Sequence, residues 1–240
     1  MGLDSRGLRG RISPGRRRRA VSDRGLELPA RKAEQRRLSG CDWEADYAAV
    51  DHLFGTQPSA LLLSCQPLLR AGQRALAVGD GEGRNGVWLA EQGLDVLSID
   101  LSPTALKRAR ELAARRNTRI RTLHADIRHW PWPVEAFDLV TLIFVHFPAV
   151  QRRPLHRNME AALKPGGLLI IEAFHVEQLR YGTGGPKDPA MLYHERIVEK
   201  DFSGLEILEN RKAMTGVVKA GQPPGEGMTL RFVARRPASW

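Results

Sequence analysis

Apolar residues along this chain fall in two rhythms. Short unbroken runs alternate with stretches where apolar side chains recur every third or fourth position. Ala75–Val78, Val96–Ile99, Leu139–Val145 and Leu168–Ala173 are of the first kind. Such runs suit parallel strands that are covered on both faces. Arg119–Leu123 reads as a further strand between the second and third of these. The helical rhythm runs through Arg84–Gln92, Pro103–Arg116 and Arg152–Leu163. In the second of these, Ala105, Leu106, Ala109, Leu112 and Ala113 form one face, Ser102 is the expected N-cap and Pro103 takes the first helical position.

The flanks are less regular. Asp42–Tyr47 reads as a short helical lead-in, broken at Gly55-Thr56-Gln57-Pro58, and Ser59 caps a helix that runs through Leu69. Trp130-Pro131-Trp132-Pro133 is a rigid loop that no central strand accommodates. After the fifth strand, Gly182–Pro189 is punctuated too heavily for regular structure, and a helical segment follows at Glu195–Phe202. Leu205–Val218 and Met228–Arg235 then form a closing hairpin. Strands alternating with helices predict an α/β fold: a Rossmann-like, doubly wound, mostly parallel seven-stranded sheet with a C-terminal antiparallel hairpin.

Charge changes the picture only at one end. The 240 residues carry a formal net charge of +10. Residues 1–39 hold twelve basic and four acidic residues, whereas the rest of the chain holds 25 and 23. The aliphatic-poor, arginine-rich start therefore reads as a disordered extension over 1–38, ahead of one domain over 39–240. The nearly neutral domain has no electrostatic footprint for nucleic acid. Two cysteines without metal-type spacing and no apolar run near 20 residues imply a cytoplasmic protein with no membrane span and no metal site.

The chemistry is concentrated between Ala75 and Asp100. A short strand leads into Gly79-Asp80-Gly81-Glu82-Gly83, then a helix, a second strand and a terminal acid, Asp100. Alternate glycines turn the backbone sharply and leave no Cβ to hold a ligand away. An acid about 20 residues beyond such a loop ends the second strand, where it accepts hydrogen bonds from ribose hydroxyls. A nucleoside-bearing cofactor is expected. Reading Gly81, Gly83 and Gly86 as G-x-G-x-x-G keeps a dinucleotide in view, although no Tyr-x-x-x-Lys hydride-site pattern accompanies it.

In this order, the glycine loop, Asp100 and the Ser102-Pro103 helix resemble the cofactor half of the class I S-adenosylmethionine-dependent methyltransferases. His124-Ala125-Asp126-Ile127, Ala136-Phe137-Asp138 and Leu163-Lys164-Pro165-Gly166-Gly167 extend the likeness. Within that class, the Gly-Glu-Gly-Arg-Asn-Gly stretch and Tyr181–Pro189 are similar to small bacterial tellurite-resistance-type methyltransferases. The resemblance covers residues 41–236 and implies S-adenosylmethionine as cofactor. It implies that Gly79, Asp80, Gly81, Glu82 and Gly83 contact the cofactor, that Asp100 holds the ribose, and that Asp126 takes the adenine amino group. Leu101 and Ile127 are then expected against the adenine ring. The class usually carries an acid two residues before the first glycine, where this chain has Ala77. That acid helps hold the methionine end, so Glu82 or Asp80 is expected to replace it.

Ligands of open α/β sheets lie beyond the carboxyl ends of the strands. His146 ends the fourth strand and His175 follows the fifth. Both are candidates for general-base or substrate contact. Tyr181, Thr183 and Tyr193 border the glycine-rich loop, a candidate lid. His146-Phe147-Pro148 stands where amine methyltransferases carry an Asn/Asp-Pro-Pro motif. The expected reaction is therefore methyl transfer to a small molecule, with a thiol or other soft chalcogen favoured. An RNA or protein methyltransferase recruited through the basic segment, and a protein that binds the cofactor without turnover, are the alternatives.

Overall fold

Strand β1 (Arg74–Val78) lies between β2 (Asp95–Asp100) and β4 (Phe137–Ile143), all parallel. A computed structural model describes residues 42–238; the basic segment 1–38 and Cys41 lie outside the described residues. The seven strands follow the order β3-β2-β1-β4-β5-β7-β6, with β3 at Arg121–His124 and β5 at Leu163–Phe174. β6 (Glu206–Val217) and β7 (Gly225–Arg235) form the antiparallel hairpin, and β7 also pairs antiparallel with β5. The doubly wound sheet and its closing hairpin are as the hydrophobic rhythm predicts.

Neighbouring residues of β1 serve opposite faces. Leu76 and Val78 enter a core that includes Leu155 and Met159 of α5 (Ala149–Ala162) and Val198 of α6 (Glu195–Asp201). Ala75 and Ala77 enter a second core with Leu61 and Leu62 of α2 (Ala60–Ser64) and with Trp88 and Leu89 of α3 (Arg84–Glu91). The alternation is the two-residue period of a strand, and both faces are apolar because helices cover both. Helix α4 (Pro103–Arg115) begins as expected: Ser102 Oγ accepts the Ala105 amide hydrogen at 3.0 Å. The order of strands reverses between β1 and β4, so the cleft opens above Val78, Asp100 and Ile143.

Among the boundaries that differ from expectation, four have a local reason. The Ser59 helix ends at Ser64 and continues as a 3₁₀ turn over Gln66–Leu68, where Pro67 removes a backbone donor. Helix α5 starts at Ala149 rather than Arg152 and carries Pro154 inside it. Strand β5 begins at Leu163, because Lys164–Gly167 bulges within it and Gly166 takes φ 78°. Strand β4 stops at Ile143, because Phe144 adopts a left-handed φ of 57°. The Trp-Pro-Trp-Pro loop stays outside the sheet; its two indoles lie 5.0 Å apart and pack on the core.

Candidate functional site

The glycine loop is built around close backbone approaches. Gly79, Gly81 and Gly83 all have positive φ, at 61°, 58° and 83°. A Cβ on Gly79 would lie 2.6 Å from a Val145 methyl, and one on Gly83 would lie 2.7 Å from the Ala109 Cβ. A Cβ on Gly81 would collide with the Tyr47 hydroxyl. All three positions therefore require glycine twice over, by backbone conformation and by space.

Asp100 closes β2 against this loop. Its Oδ2 accepts the Gly81 amide hydrogen at 2.8 Å and its Oδ1 accepts that of Ser102 at 2.9 Å. Burial pushes its pKa up, and these backbone donors oppose the rise. Each oxygen has accepted one described hydrogen bond and has a second lone pair, a suitable arrangement for vicinal hydroxyls. The loop and Asp100 are brought together as expected. Leu101 lies beside them, its carbonyl 3.0 Å from the His124 ring, and buried Ile127 lies at the end of β3. A cavity of about 220 Å³ opens between Ile127 and the Val150–Pro154 side of α5.

The other acids depart from expectation. Asp80 turns into the protein: its Oδ1 accepts the Gly86 amide hydrogen at 3.1 Å and its Oδ2 accepts the Ser98 hydroxyl at 2.9 Å. It thereby caps α3, whose N-cap Gly83 has no side chain to do so. Burial raises the Asp80 pKa to about 7, against those two hydrogen bonds. Glu82 also turns inward and accepts the amide hydrogens of His52 and Leu53 at 2.8 and 2.6 Å. Both carboxylates thus hydrogen bond within the protein. Asp126 is likewise engaged, by the Arg128 backbone and guanidinium at 2.6–3.1 Å and by His129 at 3.1 Å. Burial would raise its pKa, but Arg128 holds it below the usual carboxylate range. Asp126 thereby clamps the turn after β3.

Both candidate histidines flank Phe174, and neither has an idle nitrogen. His146 Nε2 accepts the Phe174 amide hydrogen at 2.9 Å, and its ring stacks on that phenyl at 5.6 Å. Burial lowers its pKa to about 4, despite a backbone hydrogen bond at Phe144. His175 accepts the Glu177 amide hydrogen at Nδ1 at 3.1 Å, while its Nε2 lies 3.4 Å from Glu195 Oε2. The lone pair that a general base needs is already used in each ring. The glycine-rich loop packs on the same phenyl: a Cβ at Gly185 would lie 2.6 Å from it. Thr183 donates to the Glu226 carbonyl at 2.6 Å, Tyr181 is exposed, and Tyr193 is buried against His156 at 3.1 Å.

One set of residues escaped the sequence reading. Helix α1 (Trp43–Ala49) lies over the loop, held by Glu44, which accepts the Ser102 and Thr104 hydroxyls at 2.5 Å each. Arg108 donates to the carbonyls of Tyr47 and Val50 and pairs with Asp51 at 2.7 Å and Glu82 at 3.1 Å. Buried Tyr47 thereby reaches Gly81, and the nearby carboxylates reinforce the effect of burial in raising its pKa. The visible signal was the Asp42 cap followed by Trp43 and Tyr47, but their partners lie some 60 residues away.

A left-handed glycine loop at the switch point, with a buried acid ending β2, defines an α/β protein that holds a nucleoside. Residues 75–167 match the family model for a methyltransferase domain. A hemagglutinin 1 of Eikenella corrodens is 28% identical over 193 residues, 79% of this chain and 62% of that protein. A probable thiol methyltransferase 2 of Arabidopsis thaliana is 31% identical over 160 residues, 62% of this chain and 68% of that protein. The chain thus spans about two thirds of the length of these relatives. The solved structure of TehB from Haemophilus influenzae superposes with a TM-score of 0.64 at 19% identity, covering 82% of this chain and 68% of that one, and so shares the fold. The chain belongs to the class I S-adenosylmethionine-dependent methyltransferases, and S-adenosylmethionine is the cofactor of that family. The dinucleotide reading is thereby set aside. Among the described residues, no helix is long and apolar enough to cross a membrane.

Proposed function

We propose that this chain transfers a methyl group from S-adenosylmethionine to a small, soft nucleophile such as a thiolate or hydrosulfide. The observation that carries this reading is the occupation of both cleft histidines: His146 is spent on the Phe174 amide and His175 on Glu177 and Glu195. An acceptor that arrives as an anion needs no protein base, only orientation and exclusion of water. A relative named as a probable thiol methyltransferase supports the same acceptor class.

In this reading the Asp100 carboxylate takes the ribose hydroxyls and the Gly79–Gly83 backbone lies against the amino-acid end. Leu101 and Ile127 flank the adenine, with Asp126 fixing the turn that presents Ile127. Bound there, the cofactor supplies an electrophilic methyl: a sulfur lone pair of the acceptor forms the new C–S bond, while the sulfonium C–S bond breaks and its electron pair stays on S-adenosylhomocysteine. Phe144, Phe174 and the loop through Gly185 keep water from the acceptor side.

Methyl transfer from labelled cofactor to a panel of hydrosulfide, thiols, amines and phenols tests the proposal. Soft acceptors are expected to be methylated. The rate should rise with pH as the acceptor's own thiol ionises, near 8.5 for a cysteine-like thiol, and shift with that thiol's pKa. His146→Ala and His175→Ala should stay within about tenfold of wild type, below the hundredfold or more that a general base contributes. A larger loss, restricted to oxygen or nitrogen acceptors, would overturn the proposal.

A further inference from the structure

The cavity of about 220 Å³ beside Ile127 has two unequal walls. One is the turn after β3, from Ile127 to His129, whose carboxylate is already saturated. Asp126 Oδ1 accepts hydrogen bonds from the Arg128 amide and Nε, and Oδ2 accepts from Arg128 Nε and Nη2, with His129 at 3.1 Å. Both oxygens thus have at least two donors, which uses both lone pairs of each. Asp126 and Arg128 also offset each other's charge at 2.6 Å.

The other wall is the start of α5, and it is short of donors. Gln151 lines the cavity, yet its Oε1 is buried with no hydrogen-bond partner among the described residues. Val150 lines it too, and Pro154 stands one turn further along the helix. A helical carbonyl ordinarily takes the amide hydrogen four residues on, and proline has none to give. Two acceptors on one wall, a side chain and a main-chain carbonyl, therefore lack their ordinary donors. A buried acceptor in that state is costly. Ile127 and Leu155 are both buried and give the cavity an apolar lining. An apolar slot with unmet acceptors suits a flat, neutral ring that carries N–H groups, rather than an ion.

We propose that Gln151 selects the adenine of the cofactor, its Oε1 accepting from the exocyclic amino group with the Val150 carbonyl as the second acceptor. An adenine amino group brings two hydrogens to donate and nothing to accept with. A hypoxanthine ring has a carbonyl oxygen at that position, which would meet two acceptors. Asp126 is then a positioning residue: it holds the turn that presents Ile127 and does not itself read the base. The inference rests on the adenine lying against Ile127, and it is independent of which acceptor takes the methyl group.

Calorimetric titration of the full chain with S-adenosylhomocysteine and with S-inosylhomocysteine, which has a ring carbonyl in place of the amino group, reads this selection without turnover. Wild type is expected to favour the adenosyl ligand by about a hundredfold, since a site built to pair a donor rejects the analogue that lacks it. Gln151→Leu, of similar size, should cut that preference about tenfold or more, the worth of one hydrogen bond. Gln151→Glu keeps an acceptor and should retain the preference. Asp126→Asn should weaken both ligands alike, through the turn, and leave the preference intact. The melting temperature of unliganded Gln151→Leu should not fall, because the Oε1 it removes has no partner in the folded chain, which separates the proposed role from a general loss of fold. A preference that survives Gln151→Leu, or is absent from wild type, would overturn the proposal. Its loss in Asp126→Asn alone would move the reading of the base to that carboxylate. If wild type binds neither ligand, the placement of the cofactor falls and the proposal with it. Intact adenine selection in a protein that methylates no thiol would count against the soft-acceptor reading alone.

Discussion

The two sides of the cleft are finished differently. On the donor side, Asp80, Glu82 and Asp100 each accept at least two hydrogen bonds from the protein. The loop they brace is left-handed at three alternate residues. On the acceptor side, Glu172 Oε2 and Arg231 Nε have no hydrogen bond, and Phe144 holds a backbone conformation unusual for a side chain of its size. The donor side is thus a preorganised cradle that uses its charges on its own backbone. The acceptor side holds buried polar atoms that the described residues leave without hydrogen bonds.

Disturbing the cradle should do the most damage. Gly81→Val places a β-branched side chain at φ 58° and drives it into the Tyr47 hydroxyl. Backbone strain alone costs on the order of 1–3 kcal/mol. Calorimetry should show S-adenosylhomocysteine affinity falling by about a hundredfold, each factor of ten being about 1.4 kcal/mol. Retained affinity would mean that α1 yields and that the cradle is not rigid.

The comparison also shows what a sequence makes legible. The donor side was readable because its signals are local: the apolar run before Gly79, the alternating glycines and Asp100 lie within one strand–helix–strand unit. The parallel strands were equally readable, because burial on both faces leaves unbroken apolar runs. Charge partners were not. Nothing near Glu82 announces that Arg108 and the His52 and Leu53 amides will claim its carboxylate, and Arg231 meets Glu172 only because β7 returns antiparallel beside β5. The His146 partner was hidden for the same reason. An imidazole at a strand end looks like a base until a backbone amide from the neighbouring strand occupies its lone pair.

Next in size is the tie between α1 and the loop. Arg108 is 15% exposed and Glu82 5% exposed, so Arg108→Ala leaves a buried carboxylate without its countercharge and frees two carbonyls of the α1 segment. Breaking such a pair costs about 3 kcal/mol of stability. Thermal unfolding should register that loss, and cofactor affinity should fall less than for Gly81→Val, since the glycine backbone is untouched. An unchanged melting temperature would show that Arg108 is incidental to the cradle.

The last test concerns Asp80, where the donor side bears a cost of its own, felt only as a pH dependence of stability. In the folded chain this carboxyl keeps its proton up to a pKa of about 7, whereas the ordinary value is 3.8. Between those values the folded state binds more protons than the unfolded one, so stability falls as pH rises through the window and levels off above it. A displacement of this size caps the pH-linked cost at about 4 kcal/mol. Asp80→Asn removes the titration while keeping the hydrogen bonds: the amide oxygen accepts from Gly86 and the amide nitrogen donates to Ser98 Oγ. Melting temperatures across pH 4–8 should therefore converge at the acid end and separate at the alkaline end, with the variant the more stable by a few degrees per kcal/mol recovered. Parallel profiles for the two proteins would mean that Asp80 is already ionised throughout, its charge met by the helix terminus and by Arg84, and that the donor side is as free of cost as its hydrogen bonds suggest.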